Sequence, residues 1–312
     1  MSAAAGNRWI IYQRERFPIA AHAPLVAAFS GSAVCFSSLV RGHTAWPSPK
    51  ALTVAFATSL LFFLQLRIAD EFKDFEDDSR YRPYRPVPRG LVTLRELAWL
   101  GAGGASIQLA LALWLEPSIV WLLIITWAYL AVMTREFFVP RWLKAHPVIY
   151  MASHMVILPL IDMYATACDW WVVGYRQPPP GLFWFLIVSF FNGVVVEIGR
   201  KIRAREDEEE GVETYSSLWG VTGAVRAWLG AIALTGFAAW RAAERLGTAA
   251  PTAVFLGALV AACVAIGVRF AKRPSAGGGK TIELMSGVWT LLMYLGLGAV
   301  PLTMAVWRTV AA

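Results

Sequence analysis

Charge is scarce in this 312-residue chain. Asp, Glu, Lys and Arg make up 16% of it, against about 25% in an ordinary soluble domain. With 57% hydrophobic residues and a mean hydropathy of +0.53, it carries more apolar surface than a globule hides. Even a ~300-residue domain exposes about a quarter of its unfolded-chain surface. A water-soluble enzyme is excluded, and so is a disordered chain. Cysteine is scarcer still. Cys35, Cys168 and Cys263 are too few and too scattered for a disulfide framework or a zinc site, and read as small apolar fillers. Strand-like alternation, low-complexity tracts and a soluble domain are lacking. So is a secretory leader: the first eighteen residues are polar, carry Arg8, Arg14 and Arg16, and show no cleavage site behind a short apolar run. What is left is an all-α, polytopic membrane protein.

A spanning helix needs about twenty apolar residues. Nine runs qualify, near 19–40, 50–69, 93–115, 118–134, 147–165, 182–198, 221–241, 251–271 and 284–307. Pro24, Pro159, Gly257 and Gly296 fall inside them, which a membrane tolerates where neighbouring helices satisfy the freed backbone groups. With the N-terminus inside, 21 of the 28 Lys and Arg lie on cytoplasmic segments. Six (Arg41, Lys50, Arg176, Arg241, Arg245, Arg308) lie opposite, and Arg226 falls within a span. By the positive-inside rule the N-terminus is cytoplasmic and the C-terminus external. That distribution accounts for the net charge of +7 without nucleic acid, which would require a basic face on a soluble module. The expected architecture is a single bundle of about nine transmembrane helices, one domain over 1–312, in an inner or plasma membrane. Segments 66–92 and 199–220 share its cytoplasmic side.

Those two segments hold 12 of the 21 acidic residues, on the side of the membrane where basic residues normally collect. The first cluster is Asp70, Glu71, Asp74, Glu76, Asp77 and Asp78; the second is Glu206, Asp207, Glu208, Glu209, Glu210 and Glu213. Asp70, Asp74 and Asp78 stand at i, i+4 and i+8 with Arg67 at i−3, nearly one helix face. Carboxylates so placed repel one another unless a cation sits among them. Mg²⁺ takes few carboxylates and completes its octahedron with water and substrate phosphate oxygens, so the stripe beside an arginine suits a Mg²⁺–diphosphate site. The competing reading is a solvated, charge-mixed helix end in which Arg67, Lys73, Arg80 and Arg82 pair with the acids. Pro83, Pro86 and Pro88 then force an extended path before Gly90. From it Arg82, Arg85 and Arg89 can fold back toward the stripe or meet lipid headgroups.

Asp70-Glu71-x-x-Asp74-x-x-x-Asp78 followed by Arg85-Pro86-Val87-Pro88-Arg89-Gly90 resembles the first signature of the UbiA superfamily of intramembrane prenyltransferases. That signature reads Asn-Asp-x-x-Asp-x-x-x-Asp and then Arg-Pro-x-Pro-x-Gly. Asp70 stands in the family's asparagine position and Glu71 in its first aspartate position. Nine helices with both acidic segments on one side also match the family architecture. The second signature departs further. Glu197 and the pair Asp207/Glu208 fall where acids are expected, and Gly211 with Thr214-Tyr215-Ser216 resembles the motif's exit, but Arg200, Lys201, Arg203 and Ala204 occupy the middle. Glu197 with Asp207 or Glu208 holds a second Mg²⁺, or fixed positive charge has replaced that ion, or the segment is an amphipathic linker.

The resemblance implies a Mg²⁺-dependent enzyme that ionises an isoprenoid diphosphate from within the bilayer and transfers the prenyl group to a lipophilic acceptor. Asp70, Glu71, Asp74, Asp78, Glu197, Asp207 and Glu208 are its candidate metal ligands. Arg67, Lys73, Arg85, Arg200, Lys201 and Arg203 are its candidate diphosphate contacts. A terpene cyclase of the same superfamily is the alternative, favoured by the altered second motif. A cation transporter fits less well, because such sites lie near the midplane. Inside the spans, His154 and Asp162 are functional candidates by type, although Asp162 is expected near the outer end. Asn192 is placed to face the cavity, and Glu283 and Ser286 to line its rim. The 15 Trp divide between interfacial belts and chamber walls in a way the sequence does not reveal.

Overall fold

The apolar runs become helices, and the helices break where the sequence withholds a backbone hydrogen bond or a Cβ. The structure, a computed structural model, describes residues 7–311; residues 1–6 and 312, the ends of the expected domain, lie outside the described residues. In order the helices are α1 Arg8–Arg16, α2 Ile19–Val40, α3 Pro49–Lys73, α4 Phe75–Tyr81, α5 Leu94–Leu115, α6 Val120–Thr134 and α7 Pro140–Lys144. There follow α8 Pro147–Met155, α9 Ile157–Trp170, α10 Leu182–Gly199, α11 Tyr215–Arg245, α12 Ala249–Lys272, α13 Gly279–Leu297 and α14 Ala299–Ala311. Among the described residues there is no strand, and nine helical stretches are long and apolar enough to cross a membrane. They are α2, α3, α5, α6 with its preceding turn, α8–α9, α10, α11, α12 and α13–α14. This is an integral membrane protein.

Local chemistry sets the helix ends. Ser48 caps α3 with Pro49 at its first position, while Thr93 with Glu96 and Thr214 with Ser217 box the starts of α5 and α11, satisfying amides that have no partner within the helix. The fifth span divides at Val156, because Pro159 has no N–H to offer the Met155 carbonyl. The ninth divides at Gly298, where a Cβ would lie 2.2 Å from the Ser32 carbonyl oxygen; α2 approaches too closely for any side chain. In α11 the left-handed Gly220 (φ 68) separates a first turn from the span proper, at the boundary the apolar pattern indicates.

The main helix neighbours are α10 with α11, α2 with α9, α11 with α12 and α3 with α5. Trp170, Trp228 and Trp289 are fully buried between helices, whereas Trp99 and Trp142 are exposed toward the end that carries the acidic segments and Trp46, Trp114, Trp121 and Trp307 toward the opposite end. The first three are core, the others belts. All three cysteines are buried and unpaired. At the end of the bundle away from the acidic segments Asp169 accepts from Arg41 (2.8 Å) and from Ser37 (2.6 Å), tying α2 to α9. The expected outer position of Asp162 is corrected. Its helix runs on to Trp170, so Asp162 lies mid-span, where it accepts from the Tyr294 hydroxyl at 3.0 Å.

Candidate active site

Both acidic segments lie at the same end of the helical bundle, at the ends of spans, and packing draws them together. The ring of Tyr81, at the end of α4, lies against Gly211 of the second segment, where a Cβ would stand 2.5 Å from it. Gly211 is also left-handed (φ 72), so both contact and conformation call for glycine. Asp207 accepts from the Gly277 amide at 2.8 Å, which ties in the loop ahead of α13. The loops at this end therefore form one cover over the ends of α3 and α10.

The first cluster is not the uniform stripe that the spacing predicts. Hydrogen bonds from the amides of Asp74 and Asp78 to the carbonyls four residues back carry the helical path from α3 into α4, yet the carboxylates separate into two sets. Glu71 and Asp78 are buried, 2% exposed each, in a cage of arginines. Glu71 meets Arg16 at 2.5 Å and Arg67 at 3.7 Å. Asp78 meets Arg85 at 2.5 Å and Arg82 at 3.2 Å, with Arg16 at 4.0 Å. Asp70 is more open and sits between Arg67 (3.0 Å) and Lys73 (3.7 Å). Asp74 is half-buried, and among the described residues no cation pairs with it. Burial pushes the Asp74 carboxyl above the ordinary carboxylate range, against the pull of the Lys73 ammonium and with Asp70 and Asp78 adding to the rise. Of the proline-rich run, Arg82 and Arg85 fold back onto the acids, whereas Arg89 pairs with Glu15 at 2.9 Å.

Across from Asp70, the second segment presents positive charge. Glu197 is clamped by Arg200 (2.5 Å) and Lys201 (2.9 Å), and its carboxylate holds the Arg200 guanidinium above its ordinary value, with Asp70 within reach of the same charge. The Lys201 ammonium also stands over the Tyr215 ring at 5.6 Å. The other acids of this segment hold the loop itself. Both Glu208 oxygens accept from the Thr214 hydroxyl, Asp207 caps Gly277, and Arg203 pairs with Glu209 at 3.0 Å. No contact joins Asp207, Glu208 or Arg203 to Glu197 or to the first cluster. Ser286 does not line a rim: it is buried and accepts from the Trp228 indole at 2.9 Å, at the point where α10 presents Gly199. Glu283 is exposed.

Two groups escape sequence reasoning. Arg16 comes from α1, far from either motif in the chain, and only the amphipathic spacing that buries Tyr12 hints that α1 lies against the bundle. Tyr150, on α8, brings its ring to 5.5 Å from the Lys73 ammonium and its hydroxyl to Glu136 at 3.2 Å. Among the described residues no three His, Cys, Asp or Glu side chains form a cage for a metal. Asp74 and Asp70, one turn apart, offer two carboxylates, and Asp70 lies within charge range of Arg200. That pairing suits an anion carried with a divalent cation.

The UbiA prenyltransferase family profile matches residues 31–278. No curated protein matches the chain. Among solved structures, an apo UbiA homolog from Aeropyrum pernix K1 superimposes with a TM-score of 0.66 at 15% identity, over 87% of this chain and 97% of that one. A digeranylgeranylglyceryl phosphate synthase in membranes gives 0.61 at 12%, over 96% and 99%. A UbiA homolog from Archaeoglobus fulgidus bound to DMAPP and Mg²⁺ gives 0.56 at 14%, over 92% and 98%. At these identities the likeness is one of fold.

Proposed function

Since the chain belongs to the UbiA prenyltransferase family, we propose that it ionises an isoprenoid diphosphate at the cytoplasmic mouth of the bundle and passes the prenyl group to a lipophilic acceptor. The observation that carries this reading is the half-buried Asp74 carboxylate, which among the described residues has no cation paired with it, whereas its neighbours Asp70, Glu71 and Asp78 and the Glu197 of the second segment are paired. The residues fit Mg²⁺, which needs only one or two protein carboxylates when phosphate oxygens and water complete its shell. Asp74 and Asp70 would hold it, and it is the ion found with DMAPP in the Archaeoglobus fulgidus homolog. Bound there, it supplies charge neutralisation to the departing diphosphate.

This chain's own side chains do the rest. Lys73, Arg67, Arg200 and Lys201 contact the diphosphate and stabilise charge as it develops on the leaving oxygens. Glu197, saturated by Arg200 and Lys201, orients those two cations and is not a ligand of a second ion. Glu71 and Asp78 act through the arginine cage, which fixes the end of α3. The apolar helices below exclude water from the allylic cation. The 21-to-6 charge asymmetry supports a cytoplasmic mouth by the positive-inside rule.

The test is turnover of prenyl diphosphates of several lengths by membranes bearing the chain, with and without Mg²⁺. Pyrophosphate with a prenylated lipid supports the transferase. Pyrophosphate with a cyclic hydrocarbon replaces it by a cyclase, and metal flux without turnover replaces both by a transporter.

A further inference from the structure

Capture of an allylic cation sheds a proton whichever nucleophile does it. A transferase loses it from the acceptor, and a cyclase loses it from its own product. The departing diphosphate is one acceptor for that proton; a neutral base deeper in the bundle is another, and it takes the proton without competing with a metal for phosphate oxygens.

His154 lies seven residues into α8, about 10 Å below its cytoplasmic end at 1.5 Å per residue. Its Nδ1 is 2.8 Å from the Tyr150 carbonyl oxygen. Only an N–H can face a carbonyl, so Nδ1 carries the hydrogen and Nε2 is left with a lone pair. Ser153 does not disturb this tautomer, since its hydroxyl is 3.4 Å from Nδ1 and donates to the same carbonyl at 3.0 Å. The residue is 8% exposed, yet Nε2 has no partner. A buried acceptor left unmatched is costly, and the site holds it rigidly in that condition. The ring stacks on Tyr150 at 4.1 Å and 13° and meets the edge of Phe137 at 6.0 Å.

Phe137 is the middle of three successive left-handed, non-glycine residues, Glu136, Phe137 and Phe138 (φ 48, 54 and 62). Strain of this kind gathers at functional sites. Here the bond from the Tyr150 hydroxyl to Glu136 (3.2 Å) secures it. Lys73, Glu136 and Asp70 lie within charge range of the imidazole, so it adjoins the diphosphate site. At the same depth on α10, Asn192 is 1% exposed with both amide atoms unpartnered, and α10 meets this span closely, Gly193 lying against Met155 and Leu158. Two unmatched polar side chains thus mark one layer beneath the charged mouth.

We propose that His154 is the base that takes the proton released when the allylic cation is captured. This rests on the reading of the chain as a diphosphate-ionising enzyme. The C–O bond of the prenyl diphosphate breaks with its electron pair leaving on the diphosphate. The nucleophile's pair forms the new bond to the allylic carbon, and its proton moves to Nε2 to give imidazolium. No oxidant or reductant is required.

Membranes bearing the chain are given labelled geranyl or geranylgeranyl diphosphate and Mg²⁺, and both pyrophosphate and labelled product are followed. His154→Ala should lower product formation by about 10²-fold, the contribution expected of a general base, while KM for the diphosphate stays near wild type. Imidazole in the medium should restore part of the rate, and pyrazole, of similar shape but far less basic, should not. Should His154→Ala fail to fold, His154→Gln replaces it and should show the same loss at an unchanged unfolding temperature. Wild-type rates in the variant, or a loss that imidazole does not repair, overturn the base and leave the diphosphate chemistry standing. Failure of the wild type to release pyrophosphate from either substrate removes the functional reading itself, and the base with it.

Discussion

Replacing Lys201 by alanine separates a linker charge from a diphosphate contact, because the two roles differ in what the substitution does to stability and to rate. At 2.9 Å from Glu197 the ammonium has a gross attraction of about 6 kcal/mol at an effective dielectric of about 20. Little of it is net stability. The Lys201 side chain is 36% exposed, and desolvation, side-chain entropy and screening leave exposed pairs with about 0–1 kcal/mol. Arg200 at 2.5 Å keeps Glu197 paired when Lys201 is gone, so no buried charge is orphaned. The unfolding temperature in detergent should therefore fall by less than about 3 °C.

Turnover should respond far more. A fixed positive charge aimed at a leaving group in a site that excludes water is worth about 10²–10³-fold in rate, or about 2.7–4 kcal/mol. Pyrophosphate release measured across a Mg²⁺ titration reads both quantities. Lys201→Asp should do no better, because it sets a second carboxylate one turn from Glu197 while Arg200 continues to occupy the position a second metal would need. Near-wild-type rates for Lys201→Ala would refute the direct contact. A fully active Lys201→Asp with tighter Mg²⁺ dependence would refute the single-metal site.

Asp74→Asn should abolish turnover yet leave the metal-free protein at least as stable as wild type at pH 7. Burial raises the Asp74 carboxyl, so its stabilising share is present below the unfolded value and lost as pH climbs past the folded one. The advantage of the variant should shrink in acid, and Mg²⁺ should raise the unfolding temperature of the wild type only. Arg16→Ala withdraws a 9%-exposed guanidinium from Glu71 and Asp78; broken buried pairs cost about 3–5 kcal/mol, so a large fall in unfolding temperature is expected. Gly211→Ala should impair activity with helix content intact by circular dichroism, since a Cβ there meets the Tyr81 ring. A membrane-impermeant thiol reagent applied from outside should label Gln177→Cys and miss Ser79→Cys, with little background from the three buried native cysteines; the opposite pattern would invert the topology.

The nine spans could be read from the chain because the bilayer imposes a length and a hydropathy that no tertiary context overrides. The breaks were half legible: Pro159 and Gly220 announce theirs, whereas Gly298 is explained only by the backbone of α2 pressing on it. The first acidic motif was legible as a pattern and misleading as a geometry. Helical spacing puts Asp70, Asp74 and Asp78 on one face, but spacing holds no information about which carboxylates an arginine from α1 reaches. Arg16 is 55 residues from Glu71, and its insertion divides the stripe into a caged pair and an open pair. The second motif shows the reverse. Its acidic run, conspicuous in sequence, is engaged in capping and loop closure, while Arg200 and Lys201 ahead of it pair with Glu197. Charge in a membrane protein's loops is thus informative about function only after its local partners are subtracted. Subtraction leaves Asp74 at the mouth and, two turns below, the unmatched nitrogen of His154.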